Sequence, residues 1–126
     1  MGTQREYVFD FERLDVYEKG LEFTVMIFGL TRVLPREYQY SLADQLRRAA
    51  LSILNNLAEG SGKLSKKEKG QFYKTSLNST RECIPMLTFL ARERQLSPTA
   101  HHELRQRVIH MANMLGRLIA SVNAAP

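Results

Sequence analysis

A chain of 126 residues, 44% of them apolar, is long enough to bury one hydrophobic core, and we expect a single domain spanning residues 1–126. The composition argues against a turn-rich β architecture, because Trp is absent and Pro and Gly are few. No stretch approaches the roughly 20 apolar residues of a membrane span, and the single cysteine cannot form an internal disulfide, so we expect a cytoplasmic protein. The net charge of +5 favours polyanions or acidic protein surfaces as partners.

The first predicted helix runs from about Leu14 to Leu34 and ends before Pro35, which disfavours helical geometry at the preceding residue. Its apolar residues fall on two opposite faces, since successive residues are rotated by about 100°. One face carries Leu14, Tyr17, Leu21, Val25 and Phe28, and the other carries Val16, Phe23, Ile27, Leu30 and Leu34. A bundle core covers only one stripe, so we expect the second set to form the interface of a homo-oligomer.

Three further helices follow. The second starts with a cap at Ser41 and ends at Gly60–Gly62, the third starts with a capping signature at Ser65 and Glu68, and the fourth starts at Ser97. Their apolar residues recur every three or four positions, as in helices that pack at shallow angles. Short connections near residues 35–40, 60–64 and 94–97 predict an all-α, up-down-up-down antiparallel four-helix bundle. Its core spans about residues 12–122, and residues 1–10 and 123–126 are expected to be loosely held.

A line of polar residues lies beside the apolar face of the second helix and continues on the third. It consists of Gln45, Ser52, Asn56, Glu59, Ser79 and Glu82. Half-buried polar groups require partners, so this line predicts a structural hydrogen-bonded network that fixes the pairing of the two helices. The alternative is an acid/base site built on the carboxylates of Glu59 and Glu82. No histidine, lysine or metal ligand converges on them, and the structural interpretation is favoured.

Other candidate chemistry has weaker support. Gly60-Ser61-Gly62-Lys63 follows a helix and lacks the earlier glycine and the final Ser or Thr of a phosphate-binding loop. His101, His102 and His110 do not form the Glu-x-x-His pattern of di-iron bundles, and Cys83 lies on a core face where its thiol stays protonated. We therefore predict no enzymatic activity, no metal and no cofactor.

Basic residues are the remaining signal. The candidate nucleic-acid-binding residues are Arg47, Arg48, Lys63, Lys66, Lys67, Lys69 and Lys74. Their concentration near the junction of the second and third helices is typical of a surface that contacts a phosphate backbone, although a lysine-rich surface can also be merely solvated. No short motif is typical of proteins that recognise the edges of bases.

The segment from Gln45 to Gly60, QLRRAALSILNNLAEG, resembles the pattern Q-L-R-R-A-x-x-S-I-x-x-N-x-A-E-G of the four-helix-bundle proteins encoded in intervening sequences of bacterial 23S rRNA genes. Phe72, Ser79 and Glu82 stand at positions of a second pattern, F-x-x-x-A-x-G-S-x-x-E, although Ser76 and Asn78 replace its Ala and Gly. That family is related to the accessory variability determinant of diversity-generating retroelements. The resemblance implies a homopentameric ring with a basic surface and, for the retroelement relatives, binding to nucleic acid and to a reverse transcriptase.

The leading functional hypothesis is a non-enzymatic, homo-oligomeric protein that binds RNA or DNA through its basic surface. The first alternative is a protein–protein scaffold or accessory subunit with no nucleic-acid role. The second is the enzyme that would use the two carboxylates.

Overall fold

The computed structural model describes residues 6–124, and within this range the chain forms helices and no strands. A short 3-10 turn, Asp10–Arg13, precedes the first helix. The α-helices are α1 (Asp15–Arg32), α2 (Arg36–Gln39), α3 (Leu42–Ser61), α4 (Lys66–Arg92) and α5 (Pro98–Asn123). None of the helices within the described range is long and apolar enough to cross a membrane.

The four long helices form a bundle in which consecutive helices are neighbours. α3 packs against α4, α4 against α5, and α1 against both α3 and α5. The Glu22–Arg107 ion pair, with 3.3 Å between its nitrogen and oxygen atoms, joins the neighbouring helices α1 and α5. The prediction of an all-α helical bundle is therefore confirmed.

The ends are only partly described. The predicted looseness of residues 1–10 and 123–126 concerns, in part, residues 1–5 and 125–126, which lie outside the described range. The described part of the first segment is anchored. The rings of Tyr7, Phe9, Phe11 and Tyr17 contact one another in sequence, with centroid distances of 4.9, 5.7 and 5.0 Å.

Two of the three predicted helix caps are present. The hydroxyl of Ser65 accepts a hydrogen bond from the Glu68 amide, and that of Ser97 accepts one from the Ala100 amide, both at 3.1 Å. The predicted cap at Ser41 is wrong, because its hydroxyl points back to the carbonyls of Glu37 and Tyr38. A helical turn immediately before α3 provides those carbonyls.

That turn is α2, which the sequence did not predict. Its Gln39 amide nitrogen donates to the carbonyls of Thr31 and Leu34, at 2.7 and 2.9 Å, and so satisfies backbone groups at the end of α1. Arg47 of α3 donates in turn to the side chain and the backbone carbonyl of Gln39, at 3.3 and 3.2 Å. The α1–α3 connection is thus fixed by hydrogen bonds and not simply by its short length.

α4 ends in a Schellman motif. The Gln95 amide donates to the Leu90 carbonyl at 2.9 Å, and the Arg94 amide donates to the Ala91 carbonyl at 3.1 Å. Arg94 occupies the left-handed position of this motif, with φ of 59°. Glycine normally fills that position, and a side chain there costs roughly 1 kcal/mol.

The core reverses the predicted roles of the two faces of α1. The residues proposed as an oligomer interface lie in the core of the single chain: Val16, Phe23, Ile27 and Leu34 are buried and Leu30 is half-buried against them. The interface prediction is therefore wrong for these residues. Periodicity identified two stripes, but it could not indicate which stripe faces α3 and α5.

The other stripe of α1 is the outer one. Leu21 and Phe28 are half-buried, and Val25 is 72% exposed. Leu51 on α3, also exposed, follows Ala50, whose carbonyl contacts the Thr24 hydroxyl, so it lies at the level of this stripe. We call Leu21, Val25, Phe28 and Leu51 the outer apolar patch.

α3 and α4 approach each other closely at Gly60. A Cβ atom at this position would lie 2.8 Å from the ring of Tyr73 and 3.0 Å from Cβ of Phe72. Tyr73 is buried and donates or accepts a 3.0 Å hydrogen bond with Ser61, so its ring has little freedom to move. Glycine is thus required here for the approach of a neighbouring helix, within the last turn of α3.

Replacing Gly60 by Ala should therefore destabilise the fold by about 1 to 3 kcal/mol through overpacking. The matched control is Gly116→Ala, because a Cβ at Gly116 would meet nothing within 4 Å. That change should stabilise α5 by about 0.5 to 1 kcal/mol, since alanine favours helix. Urea unfolding of both variants at equal protein concentration measures the difference, and equal gains in stability would contradict the proposed close approach.

Candidate nucleic-acid interface

The predicted basic cluster does not assemble as one group. Arg47 and Arg48 belong to the first half of α3, whereas Lys63 follows its last turn. At 1.5 Å per residue, Arg47 and Lys63 are about 24 Å apart along the helix axis. The prediction that all seven residues gather near one junction is therefore wrong.

The two arginines also have structural partners. Arg47 is half-buried and bonded to Gln39 as described above. Arg48 is exposed and forms a 3.0 Å ion pair with Asp44, one helical turn away. It does not form an internal ion pair with Glu59, because the two side chains lie eleven positions apart on α3.

Two of the lysines at the junction stabilise the junction itself. The Lys69 ammonium donates to the Ser61 carbonyl at 2.9 Å and so satisfies a carbonyl at the end of α3. The Lys63 ammonium lies 4.0 Å from the Glu59 carboxylate and 5.2 Å from the centre of the Phe72 ring. Lys66 is exposed at the first position of α4.

Lys67 and Lys74 differ from the lysines at the junction in their surroundings. Both are exposed on α4, and within residues 6–124 neither forms a hydrogen bond or an ion pair. Arg81, which was not among the predicted binding residues, shares this property. The three residues follow one another at intervals of seven, so successive side chains leave α4 within about 20° of each other, or about 40° over the whole row, and neighbours are about 10 Å apart. We call Lys67, Lys74 and Arg81 the α4 basic row. The spacing of seven residues between its members can be recognised in the sequence.

The composition of α4 strengthens the positive character of this row. The helix carries six basic and two acidic residues, so its excess of four positive charges accounts for most of the chain's net charge of +5. Gln71 and Asn78 lie between the cations on the same exposed face. This face therefore presents positively charged groups and neutral hydrogen-bonding groups side by side to an anionic ligand.

The predicted polar network is smaller than expected. The hydroxyls of Ser52 and Ser79 join α3 to α4 at 2.8 Å, and the Asn56 amide donates to the carbonyl and hydroxyl of Ser52, at 2.8 and 3.0 Å. Ser76, which lay outside the predicted line, adds a 2.9 Å hydrogen bond to the Ile53 carbonyl. In the sequence, this hydrogen bond is indicated only by a hydroxyl-bearing residue in the middle of the apolar face of α4.

Gln45, Glu59 and Glu82 do not belong to this network, and their assignment to it is wrong. All three are exposed. Since Ser52 pairs with Ser79, Glu82 lies at the level of position 49 on α3, about 15 Å along the axis from Glu59. The two carboxylates therefore do not form a paired acid/base site.

The remaining titratable candidates are dispersed. Cys83 is buried, and its burial, with a smaller contribution from Glu82, raises the thiol pKa to about 12. A thiol with this pKa is protonated and unreactive at neutral pH. His101, His102 and His110 all lie on α5, and among the described residues no three His, Cys, Asp or Glu side chains come together as metal ligands.

Replacing Asn56 by Ala should lower the free energy of unfolding by about 1 to 2 kcal/mol, because it removes both hydrogen bonds to Ser52 beside the α3–α4 contact. Asn55→Ala is the matched control, since Asn55 is exposed, and its effect should stay within about 0.5 kcal/mol. Thermal and urea unfolding measure both. An Asn56 variant as stable as the Asn55 variant would show that the network contributes nothing to helix pairing.

Comparison with known proteins agrees with this architecture. The model of the 23S rRNA-intervening sequence protein family matches residues 12–117. A crystal structure of a protein with unknown function from the S23 ribosomal protein family of Bacteroides thetaiotaomicron VPI-5482 has a TM-score of 0.77 to this chain at 23% identity, covering 83% of this chain and 95% of that one. That likeness shows a common fold, and no curated protein matches. Because the family match covers most of its length, the chain belongs to the 23S rRNA-intervening sequence protein family.

Proposed function

We propose that this protein is a non-enzymatic homo-oligomer, with the five subunits that the family resemblance implies, which binds the backbone of RNA or DNA through the outer face of α4. The observation that carries the proposal is the α4 basic row: three exposed cations at regular intervals, without internal partners among residues 6–124. The buried, protonated thiol of Cys83 supports a protein suited to the reducing cytoplasm.

The row suits a phosphate backbone better than a compact ligand. From Lys67 to Arg81 it extends about 20 Å along a straight helix, a length that spans several phosphates of a strand. Its cations form no ion pairs with the described residues, so binding would not break such interactions. Between Lys67 and Arg81 the exposed positions of this face carry no aromatic side chain that could stack on a base, so we expect recognition of backbone shape and not of base sequence.

The outer apolar patch supports self-association. Val25 is 72% exposed in the single chain, and Tyr17, one turn before Leu21, begins a row of contacting aromatic rings that reaches Phe9 and Tyr7, which are 54% and 78% exposed. Large exposed apolar surfaces are unusual on a monomer and are normally covered by a partner. A second copy of the same chain is the proposed partner.

Oligomerisation would reinforce nucleic-acid binding. The patch lies on α1 and α3, while the basic row lies on the outward face of α4, so covering the patch leaves the row accessible. A closed ring would repeat the row on every subunit, and several weak contacts to one strand would act together through their high effective concentration.

Substituting Val25 by Glu should dissociate the oligomer without unfolding the subunit, because this side chain is exposed in the single chain but would be desolvated between copies. Burial of an apolar side chain of this size contributes at least about 1.5 kcal/mol to each contact. Val33→Glu is the control, since Val33 is 80% exposed but lies off the patch. Light scattering after gel filtration should give a multiple of 14.5 kDa for the unmodified protein and the control, and a smaller mass for Val25→Glu. A mass of 14.5 kDa for the unmodified protein would refute self-association.

The double variant Lys67→Ala/Lys74→Ala should weaken binding to duplex RNA, duplex DNA and single strands alike. Each lost phosphate contact should reduce the slope of log affinity against log salt by about 0.9 on duplex DNA and about 0.7 on single strands. Fluorescence anisotropy over a range of salt concentrations measures both affinity and slope.

The control double variant is Arg48→Ala/Arg117→Ala, which removes the same charge from exposed residues off the row. It should retain the original slope. Equal losses in both variants would mean that net charge, and not the row, binds the strand. No binding to any of the three nucleic acids at low salt would replace this proposal by the protein–protein scaffold.

A further inference from the structure

A second basic feature lies at the opposite end of α4 from Lys67. An open cavity of about 610 Å³ is formed where α4 turns into α5, and its lining includes Arg92, Arg94, His101, Ala91, Leu96 and Pro98. Its volume falls within the range of roughly 300 to 1,000 Å³ that is typical of small-molecule sites. We call it the end cavity. Arg92 follows Lys67 by 25 positions, so the cavity lies about 37 Å along α4 from the start of the basic row.

The two arginines of the end cavity are available to a ligand. Among residues 6–124, neither Arg92 nor Arg94 forms a hydrogen bond or ion pair through its side chain. Within the described part of the chain, no carboxylate lines the cavity. Glu93, which stands between the arginines in sequence, is directed to the other side of α4, where it accepts a 3.0 Å hydrogen bond from the Tyr38 hydroxyl.

The cavity wall combines two kinds of surface. Ala91, Leu96 and Pro98 supply its apolar lining, and Leu96 is buried. Arg92, Arg94, His101 and Thr88 supply its charged and polar lining. Two guanidinium groups can bind the oxygen atoms of a phosphate, and apolar side chains beside them can pack against an aromatic ring.

We propose that the end cavity binds one nucleoside monophosphate unit, with the phosphate held by Arg92 and Arg94 and the base packed against Ala91, Leu96 and Pro98. This site is separate from the α4 basic row and does not depend on it. The unit can be a free nucleotide or the 5′-phosphorylated end of a strand, which present the same chemistry.

The backbone conformation of Arg94 allows a substitution that removes its side chain without straining the turn. Its φ of 59° favours glycine, so Arg94→Gly removes the guanidinium group while leaving a residue better suited to the turn. Loss of binding in this variant could not be attributed to unfolding. Arg92→Ala is the second variant, and Arg105→Ala is the control, because Arg105 is an exposed arginine of α5 outside the cavity lining.

The experiment titrates adenosine monophosphate into the full-length protein by calorimetry. Each cavity variant should weaken binding about tenfold, because a charge-assisted hydrogen bond is lost, and the control should leave affinity unchanged. Adenosine and inorganic phosphate should each bind at least about tenfold more weakly than the nucleotide, since each retains only half of the recognition. No binding of the nucleotide, unchanged binding in both cavity variants, or equal affinity for inorganic phosphate would overturn the proposal.

The source of the unit is tested in the Lys67→Ala/Lys74→Ala background, which weakens binding at the α4 basic row. A short RNA with a 5′-phosphate that displaces the nucleotide, when the same RNA with a 5′-hydroxyl does not, supports the strand end. Displacement by neither RNA supports the free nucleotide. Because nucleotide affinity should not change in this background, failure of the end cavity and failure of the α4 basic row give different results.

Discussion

The close contact between α3 and α4 is the constraint on which the rest of the structure depends. Gly60 allows the aromatic side chains of α4 to reach the backbone of α3, and the Ser52–Ser79 hydrogen bond fixes the register of the two helices. The Ser76 hydroxyl, bonded to the Ile53 carbonyl, adds a second fixed point about one turn away. Once this register and rotation are set, the exposed face of α4 is set as well, and with it the direction in which Lys67, Lys74 and Arg81 point.

The basic residues at helix junctions and those of the candidate binding surfaces have different physical roles. Arg47, Lys69 and Arg107 satisfy backbone or side-chain groups that connect one helix to another. Those of the α4 basic row and the end cavity make no such contact within the described residues. Structural cations have already exchanged water for protein partners, whereas the others keep their hydration until a ligand replaces it. The regular spacing of the row and the cavity beside Arg92 and Arg94 then separate the candidate binding surfaces from other exposed cations such as Arg117.

The sequence predicted most of the architecture because its signals there are local. Ser65 and Ser97 mark the starts of α4 and α5, and helical periodicity placed residues such as Ile53, Leu87 and Leu115 in the core. The errors arose where a long-range neighbour decides the outcome. The two apolar stripes of α1 differ only in what they face. Arg47 is bound to a helical turn that lacks a strong sequence signal. Glu59 and Glu82 lie beside the apolar faces of α3 and α4, but about 15 Å apart along the bundle axis.

The same dependence on long-range neighbours marks the candidate sites. Lys67 and Lys74 were identified from composition, but Arg81 becomes part of the row only when α4 is known to present all three on its outward face. The end cavity could not have been found from sequence, because it requires the turn from α4 to α5 to bring Arg92 and Arg94 beside Leu96 and Pro98.

The position of α1 in the bundle has a consequence for how the chain reaches this structure. α3, α4 and α5 pack in the order in which they occur in the sequence, so these contacts form between nearby segments, as is typical of fast-folding helical proteins. α1 also packs on α5, and its ion pair with that helix joins residues 85 positions apart. During synthesis α1 emerges first, yet its final partner emerges last. α1 can pack on α3 early, but the part of its inner stripe that faces α5 stays uncovered until the last helix leaves the ribosome, and in this interval misassociation is most favoured.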